Sequence, residues 1–355
     1  MNTPVLLTHV GAVTSMGLSA FETAFVYRAQ GTGLRLSALA DPETGEALLV
    51  GGVPTLEPTL VGAARAIELG KLALDDLWAD GASALAGRRL HLWLCLDEWL
   101  TERDSNGVVP SIEVSRLVRA HARSRFGEQL QVHVCALGAA SPGRILDDAL
   151  GELERGECEG VILGGVHSDQ CPARVARLSQ QKRLYSPENS DGVLLGEGAG
   201  FVALLEPAGA RRLGASGRAQ VVALGTGHDK ARPDNHESAF EAAGLTLAVR
   251  RATEGLRAQG QRAGWQFNDL GCEGFRLSEW ISVMTRTQAI WEEPQVSEAP
   301  AQRLGNLGAA TVPVQLALAA EAWRRGYAPH PRALCFAGSD DGFRVALRIE
   351  SAAWS

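Results

Sequence analysis

Residues Ser190 to Glu206 read SDGVLLGEGAGFVALLE. An acidic residue and a glycine open the stretch, Gly196, Gly198 and Gly200 alternate through its middle, and an apolar run closes it before Pro207. Glycine carries no Cβ, so three of them at the entry to a strand indicate a tight turn or a face against which another backbone packs closely. A phosphate-cradling loop does not fit the order of elements. Dinucleotide loops follow a strand and open a helix, whereas these glycines precede the strand.

On the N-terminal side of this stretch, apolar runs and helical patterns alternate. PVLLTHVGAVTSMG is a strand and glycine turn, and SAFETAFVYRAQGTG is a helix that Ser19 can cap. GAARAIELGKLALDDLWADG carries Leu69, Leu72 and Leu77 at helical spacing. Strand-like runs follow at LHLWLCL, LQVHVC and CEGVILGGV, with the helix GRILDDALGELERGE before the last, and GVLLGEGAGFVALLEP supplies one more strand. The C-terminal part repeats the order loosely. AQVVALGTGHD is a strand, ESAFEAAGLTLAVRRATEGLRAQG an amphipathic helix, GWQFNDLGCEG a strand and loop, GNLGAATVPVQLALAAEAWRRG a helix and RALCFAGSDDGFRVALRIE a strand-turn-strand. RTQAIWEEPQVSEAPAQ reads as the most loop-like segment. Two α/β halves are expected, 1–208 and 209–355, packed tightly because no Pro/Ser-rich linker separates them.

The 355 residues suffice for one large core or two medium ones. A formal net charge of −7 argues against nucleic acid or an anionic membrane surface as the main partner. The six cysteines form no CxxC pair, so neither a zinc site nor any other metal site is expected. No apolar run approaches a membrane span and the start lacks a signal pattern, so a cytoplasmic protein is expected.

Taken together, these pieces resemble the β-ketoacyl synthases, the condensing enzymes of the thiolase fold. VGAVTSMGLSAFETAFVYRAQGTG looks like their opening strand, turn and first helix, and ERGECEGVILGGVHS like a helix end and strand ending in Gly-Gly. DGVLLGEGAGFVALLEP is similar to the family's glycine-rich segment, GNLGAATVPVQLAL to its late catalytic loop, and CFAGSDDGFRVALRIE to its closing glycine loop. The resemblance spans nearly the whole chain. It implies an α/β, thiolase-like fold of five layers, αβαβα, built from two similar halves, with Gly198, Gly338 and Ser339 beside the acyl site and no cofactor.

Such an enzyme needs a thiolate to accept an acyl group, and two donors to stabilise the charge that develops in decarboxylation and condensation. The resemblance implies two candidates for the nucleophile position. CALGA looks like the family's Cys-Ala-x-Gly-Ala turn and points to Cys135. Counting back from Gly164 and Gly165 through a helix of the usual length points instead to Ala139. The first donor histidine, carried elsewhere in a His-Gly-Thr-x-Thr motif, has no counterpart in NDLGCEGFRLSEWISVMTR, where Cys272 or Glu273 stands. Glu273 would repel an enolate unless protonated, and its plainer role is an ion pair with Arg276 or Arg286. Asn306 in GNLGAATVP matches the spacing of the initiating synthases and can donate to an oxyanion, or cap the helix that follows. Of the eight histidines, His91, His133 and His167 adjoin strand-like runs, His121 sits in a basic helix, and His228 and His236 flank a loop; none lies in a donor motif.

The resemblance therefore implies a β-ketoacyl-synthase-like protein of fatty acid or polyketide metabolism that has lost standard condensation. Its partners would be an acyl carrier protein or acyl thioester and a second subunit, either its own copy or an active ketoacyl synthase whose chain length it shapes. The alternative is an active condensing enzyme or acyltransferase using Cys135 with Asn306. A purely structural role is the third reading.

Overall fold

The computed structural model describes residues 5–103, 107–233 and 238–352; His236 lies outside them. The first half runs β1 (Val5–Thr14), α1 (Ala20–Arg28), the hairpin β2 (Arg35–Ala40) and β3 (Ala47–Val50), α2 (Gly62–Ala79), β4 (Leu90–Leu96), α3 (Pro110–Phe126), β5 (Gln131–Ala136), α4 (Ser141–Glu154), β6 (Gly160–Ser168), α5 (Pro172–Gln180) and β7 (Glu197–Leu205). After α6 (Pro207–Arg212) come β8 (Ala219–His228), α7 (Ala243–Ala252), β9 (Ala263–Phe267), α8 (Gly274–Arg286), β10 (Trp291–Glu298), α9 (Ala301–Leu304), α10 (Thr311–Arg324), β11 (Arg332–Gly338) and β12 (Phe343–Ser351).

The main sheet has the order β10-β9-β11-β12-β8-β1-β7-β6-β4-β5. Its two ends follow one plan. β4 pairs in parallel with β5 and β6, and β7 and β1 continue antiparallel. β9 likewise pairs in parallel with β10 and β11, and β12 and β8 continue antiparallel. The two sets meet where Val5, Leu6 and Leu7 pair with Val221, Gln220 and Ala219. α4 and α10 each touch strands of both sets and form the central layer, while α2 with α3, and α7 with α8, cover the outer faces. This is the five-layer α/β arrangement of the thiolase fold. α10 is buried at every position from Thr311 to Trp323, as a helix between two sheets must be. Each fully buried leucine of this layer, such as Leu316, contributes about 2 kcal/mol of apolar burial.

The glycines of the opening stretch face this central layer. A methyl group at Gly196 would overlap the Asn306 carbonyl oxygen. One at Gly198 would stand 3.0 Å from the Val13 oxygen, and one at Gly200 3.0 Å from the Val314 nitrogen. None of the three has a positive φ, so space and not backbone conformation demands glycine here. The loop before α10 and the first turn of α10 thereby lie directly on the sheet.

Three local expectations need correction. Regular strand pairing in the glycine stretch begins only at Glu197; the preceding GVLLG contributes isolated bridges. The amphipathic helix expected across ESAFEAAGLTLAVRRATEGLRAQG is confined to α7. Asp229 accepts from the Gly244 and Leu245 amides and so starts the helix there, and Ala242 before it has φ +50°. The loop-like segment contains β10, the edge strand beyond β9. Pro294 and two glutamates hide its alternation, and proline is tolerated on an edge because that side needs no ladder donor.

Candidate functional site

A cavity of about 130 Å³ opens where the ends of β4, β6, β9 and β11 meet the turn before α4 and the loop before α10. Asn306, Glu273, Ala139, Gly338 and Ser339 line it, together with His167, Leu194 and Cys272. Cys135 and Gly198 are not in its wall. Cys135 is part-buried on β5 beside Cys95, and burial raises its pKa although a hydrogen bond with Ser141 and the nearby Arg144 oppose the shift. Ala139 lies in the short turn ahead of α4, after Gly138 at φ +69°. Ser339 holds this turn in place: its Oγ donates to the Leu137 carbonyl and accepts from the Ala140 amide at 2.9 Å. Gly338 is fixed on both sides, its N–H to Asp269 at 2.7 Å and its carbonyl to Arg276 at 2.8 Å.

Asn306 belongs to a buried polar cluster. Its Oδ1 accepts from the Gly308 amide at 3.1 Å, which sets the amide orientation and leaves Nδ2 facing Asp169 Oδ2 at 3.1 Å. His167 stands between two carboxylates, Nδ1 at 2.6 Å from Asp97 and Nε2 at 2.9 Å from Asp169. Burial alone lowers the pKa of His167, but the charges of Asp169 and Asp97 outweigh it and push it up to about 10. Burial likewise opposes ionisation of Asp169, and His167 with Arg174 reverses that and holds it at about 2. The ring is therefore an imidazolium that donates to both carboxylates, with no lone pair left for base catalysis. The 3.1 Å approach of Asn306 Nδ2 to His167 Nε2 is then a contact between donors, and the amide hydrogen goes to Asp169. Asp97 also accepts from the Ala309 amide at 2.9 Å, so the cluster ties the ends of β4 and β6 to the start of α10. The second hydrogen of the Asn306 amide is the donor the site can still offer.

Ion pairs line one side of the wall, beside uncharged residues such as Trp99 and Val193. Arg183 grips Glu273 through Nε at 2.8 Å and Nη2 at 3.2 Å, and donates to Asp340 at 2.8 Å. The expected partners of Glu273, Arg276 and Arg286, are replaced by Arg183. Arg276 turns instead to Glu279, Gly338 and Asp340. Burial opposes ionisation of Asp340, yet Arg183, Arg276 and Arg174 hold its carboxyl well below the usual range. Glu273 is thus held in a bidentate ion pair with Arg183. In the same loop Cys272 and Glu273, the residues expected near the missing histidine, both line the cavity, and neither is a histidine.

Glu98 was not singled out by sequence reasoning, since a lone glutamate after a strand gives no signal. Its carboxyl sits against Gly138 in the cavity. Burial, with the charges of Asp340 and Asp97, raises its pKa to about 7. The folded protein therefore binds this proton more tightly than the unfolded chain does. The associated stability is complete below the unfolded value near 4.5 and is lost as pH rises through about 7. Glu98→Gln is expected to gain on the order of 2 kcal/mol over wild type between pH 5 and pH 8. Denaturant unfolding at the two pH values measures the gain, and an unchanged difference would contradict the assignment.

The fold is the thiolase-like fold of the ketosynthases. The sequence model of the β-ketoacyl synthase N-terminal domain matches residues 131–210. Among curated proteins there is no sequence match. The ishigamide ketosynthase/chain length factor superposes with a TM-score of 0.77 at 17% identity, covering 99% of this chain and 100% of that one. A type II polyketide synthase acyl carrier protein in complex with its ketosynthase bound to the hexaketide gives 0.79 at 13%, with 99% and 100% covered. A β-ketoacyl synthase from Burkholderia phymatum gives 0.73 at 15%, again covering 99% and 100%. Residues 131–210 thus resemble the β-ketoacyl synthase N-terminal domain, and the fold of the chain is similar to that of the ketosynthases. No helix among the described residues is long and apolar enough to cross a membrane.

Proposed function

We propose that the chain is a non-condensing subunit of a fatty acid or polyketide system that pairs with an active condensing enzyme and works with its acyl carrier protein, as a chain length factor does. The observation that carries this reading is the residue at the head of α4: Ala139 faces the cavity and offers no nucleophile, while Cys135 lies outside its wall. Two features agree with it. The loop from Asn268 to Arg286 carries no histidine donor, and the paired arginines and carboxylates of the wall are a poor lining for an acyl chain, since each pair would have to open to admit one. The halves 1–208 and 209–355 are the natural units of this body, each holding one set of five main-sheet strands.

The pairing edge is β5. It ends the main sheet and carries an unpaired ladder with Val134 41% exposed. An apolar edge of this kind is satisfied by a strand from a second subunit, which continues the sheet across a two-fold axis. Val134→Pro removes a ladder donor and is expected to yield monomer by light scattering where wild type is dimeric, alone or mixed with a ketosynthase from the same system. A wild-type chain that remains monomeric in both settings would contradict the proposal.

A further inference from the structure

We propose that His91, His133 and Glu152 form a binding site for a divalent transition metal, zinc above all, on the inner face of the sheet near its β5 edge. The three residues come from β4, β5 and the last turn of α4, and one ligand atom from each lies within 4.8 Å of the others. Alternation along the strands puts them there: Trp93 pairs in register with His133, and His91 shares the face of Trp93. α4 then lays Glu152 over the two rings, with His91 Nδ1 at 2.7 Å from Glu152 Oε2.

The chemistry suits a metal. Two imidazoles and a carboxylate are the donor set of open zinc sites, with a fourth position left to water. Ligand atoms around zinc at the usual bond lengths are about 3.3 Å apart, so contraction by rotamer adjustment alone closes the site. His133 Nε2 is buried without a hydrogen-bonding partner, an atom that a buried ring ordinarily satisfies. The ring also has its orientation set by stacking on Trp93 at 4.3 Å. Cysteine spacing gives no sign of this site because none of its ligands is a cysteine and they lie far apart in sequence.

Tag-free protein stripped with a chelator is titrated with zinc against a chromophoric competitor, and in parallel with Co²⁺. The expected result is one equivalent of zinc per chain and the intense visible bands of four-coordinate Co²⁺. A hundredfold excess over Kd should raise the thermal midpoint by roughly 4 °C. His133→Gln, on a half-exposed edge strand where misfolding is not expected, should weaken binding by at least about tenfold to a hundredfold and abolish the Co²⁺ bands. Absence of those bands in wild type, or zinc binding unchanged in both His133→Gln and His91→Ala, would overturn the proposal.

Discussion

Incubated with an acyl carrier thioester, the purified protein is expected to gain no acyl mass, and Cys135→Ala to leave the spectrum unchanged. Acyl transfer requires a thiolate at the mouth of the cavity. Cys135 is outside the cavity wall, and burial raises its pKa above that of a free thiol. The cavity-lining Cys272 is likewise raised by burial. Ala139→Cys makes the converse test. It places a thiol two residues before α4, where the positive end of the helix favours the thiolate. That variant is expected to become acylated but to condense poorly. The loop from Asn268 to Arg286 holds no histidine donor, and losing one preorganised donor costs on the order of a hundred- to a thousandfold in rate. Intact-mass spectrometry reads the first step and product analysis the second. An adduct on wild-type Cys135 that disappears in Cys135→Ala would restore the reading of an active acyltransferase using Asn306.

The fold was legible because its marks are local. Glycines 196, 198 and 200, the Gly-Gly end of β6 and the GNLGAATVP loop each announce a place where backbone meets backbone, and each does so within a few residues. Asn306 could be found from spacing for the same reason. The electrostatics could not. His167 looks like any histidine at a strand end until Asp97, 70 residues earlier, closes on its Nδ1. Glu273 meets Arg183 from 90 residues away, a partner that no helical or strand periodicity indicates. Glu98 acquires its character from burial and from Asp340 and Asp97 across the cavity. Edge strand β10 was obscured for a different reason: solvent on one side relaxes the alternation that makes an inner strand readable.

The largest effect on stability is expected at Glu197, inside the glycine stretch itself. Its carboxylate is fully buried and accepts from Arg65 Nε at 2.5 Å and Nη2 at 2.7 Å, from the Val53 amide at 2.6 Å and from Ser168 Oγ at 2.9 Å. Arg65 spends its other hydrogens on the carbonyls of Val53, Glu57 and Leu60. The pair therefore fastens the segment before α2 to the adjoining ends of β6 and β7. Glu197→Ala leaves a guanidinium, an amide and a hydroxyl buried with a shared partner gone, and is expected to lower the unfolding free energy by about 3–5 kcal/mol. Removing both charges should cost far less, because an apolar pair of similar volume avoids the desolvation penalty altogether. Arg65→Met with Glu197→Leu is thus expected to recover most of the loss, and denaturant unfolding of wild type, single and double variants separates the two terms. A single variant within about 0.5 kcal/mol of wild type would mean that the pair contributes nothing beyond its own desolvation. The consequence reaches the cavity as well: the Gly196 amide, next in the chain, donates to Asp169 at 3.2 Å, so loosening Glu197 frees the carboxylate that holds His167 and Asn306.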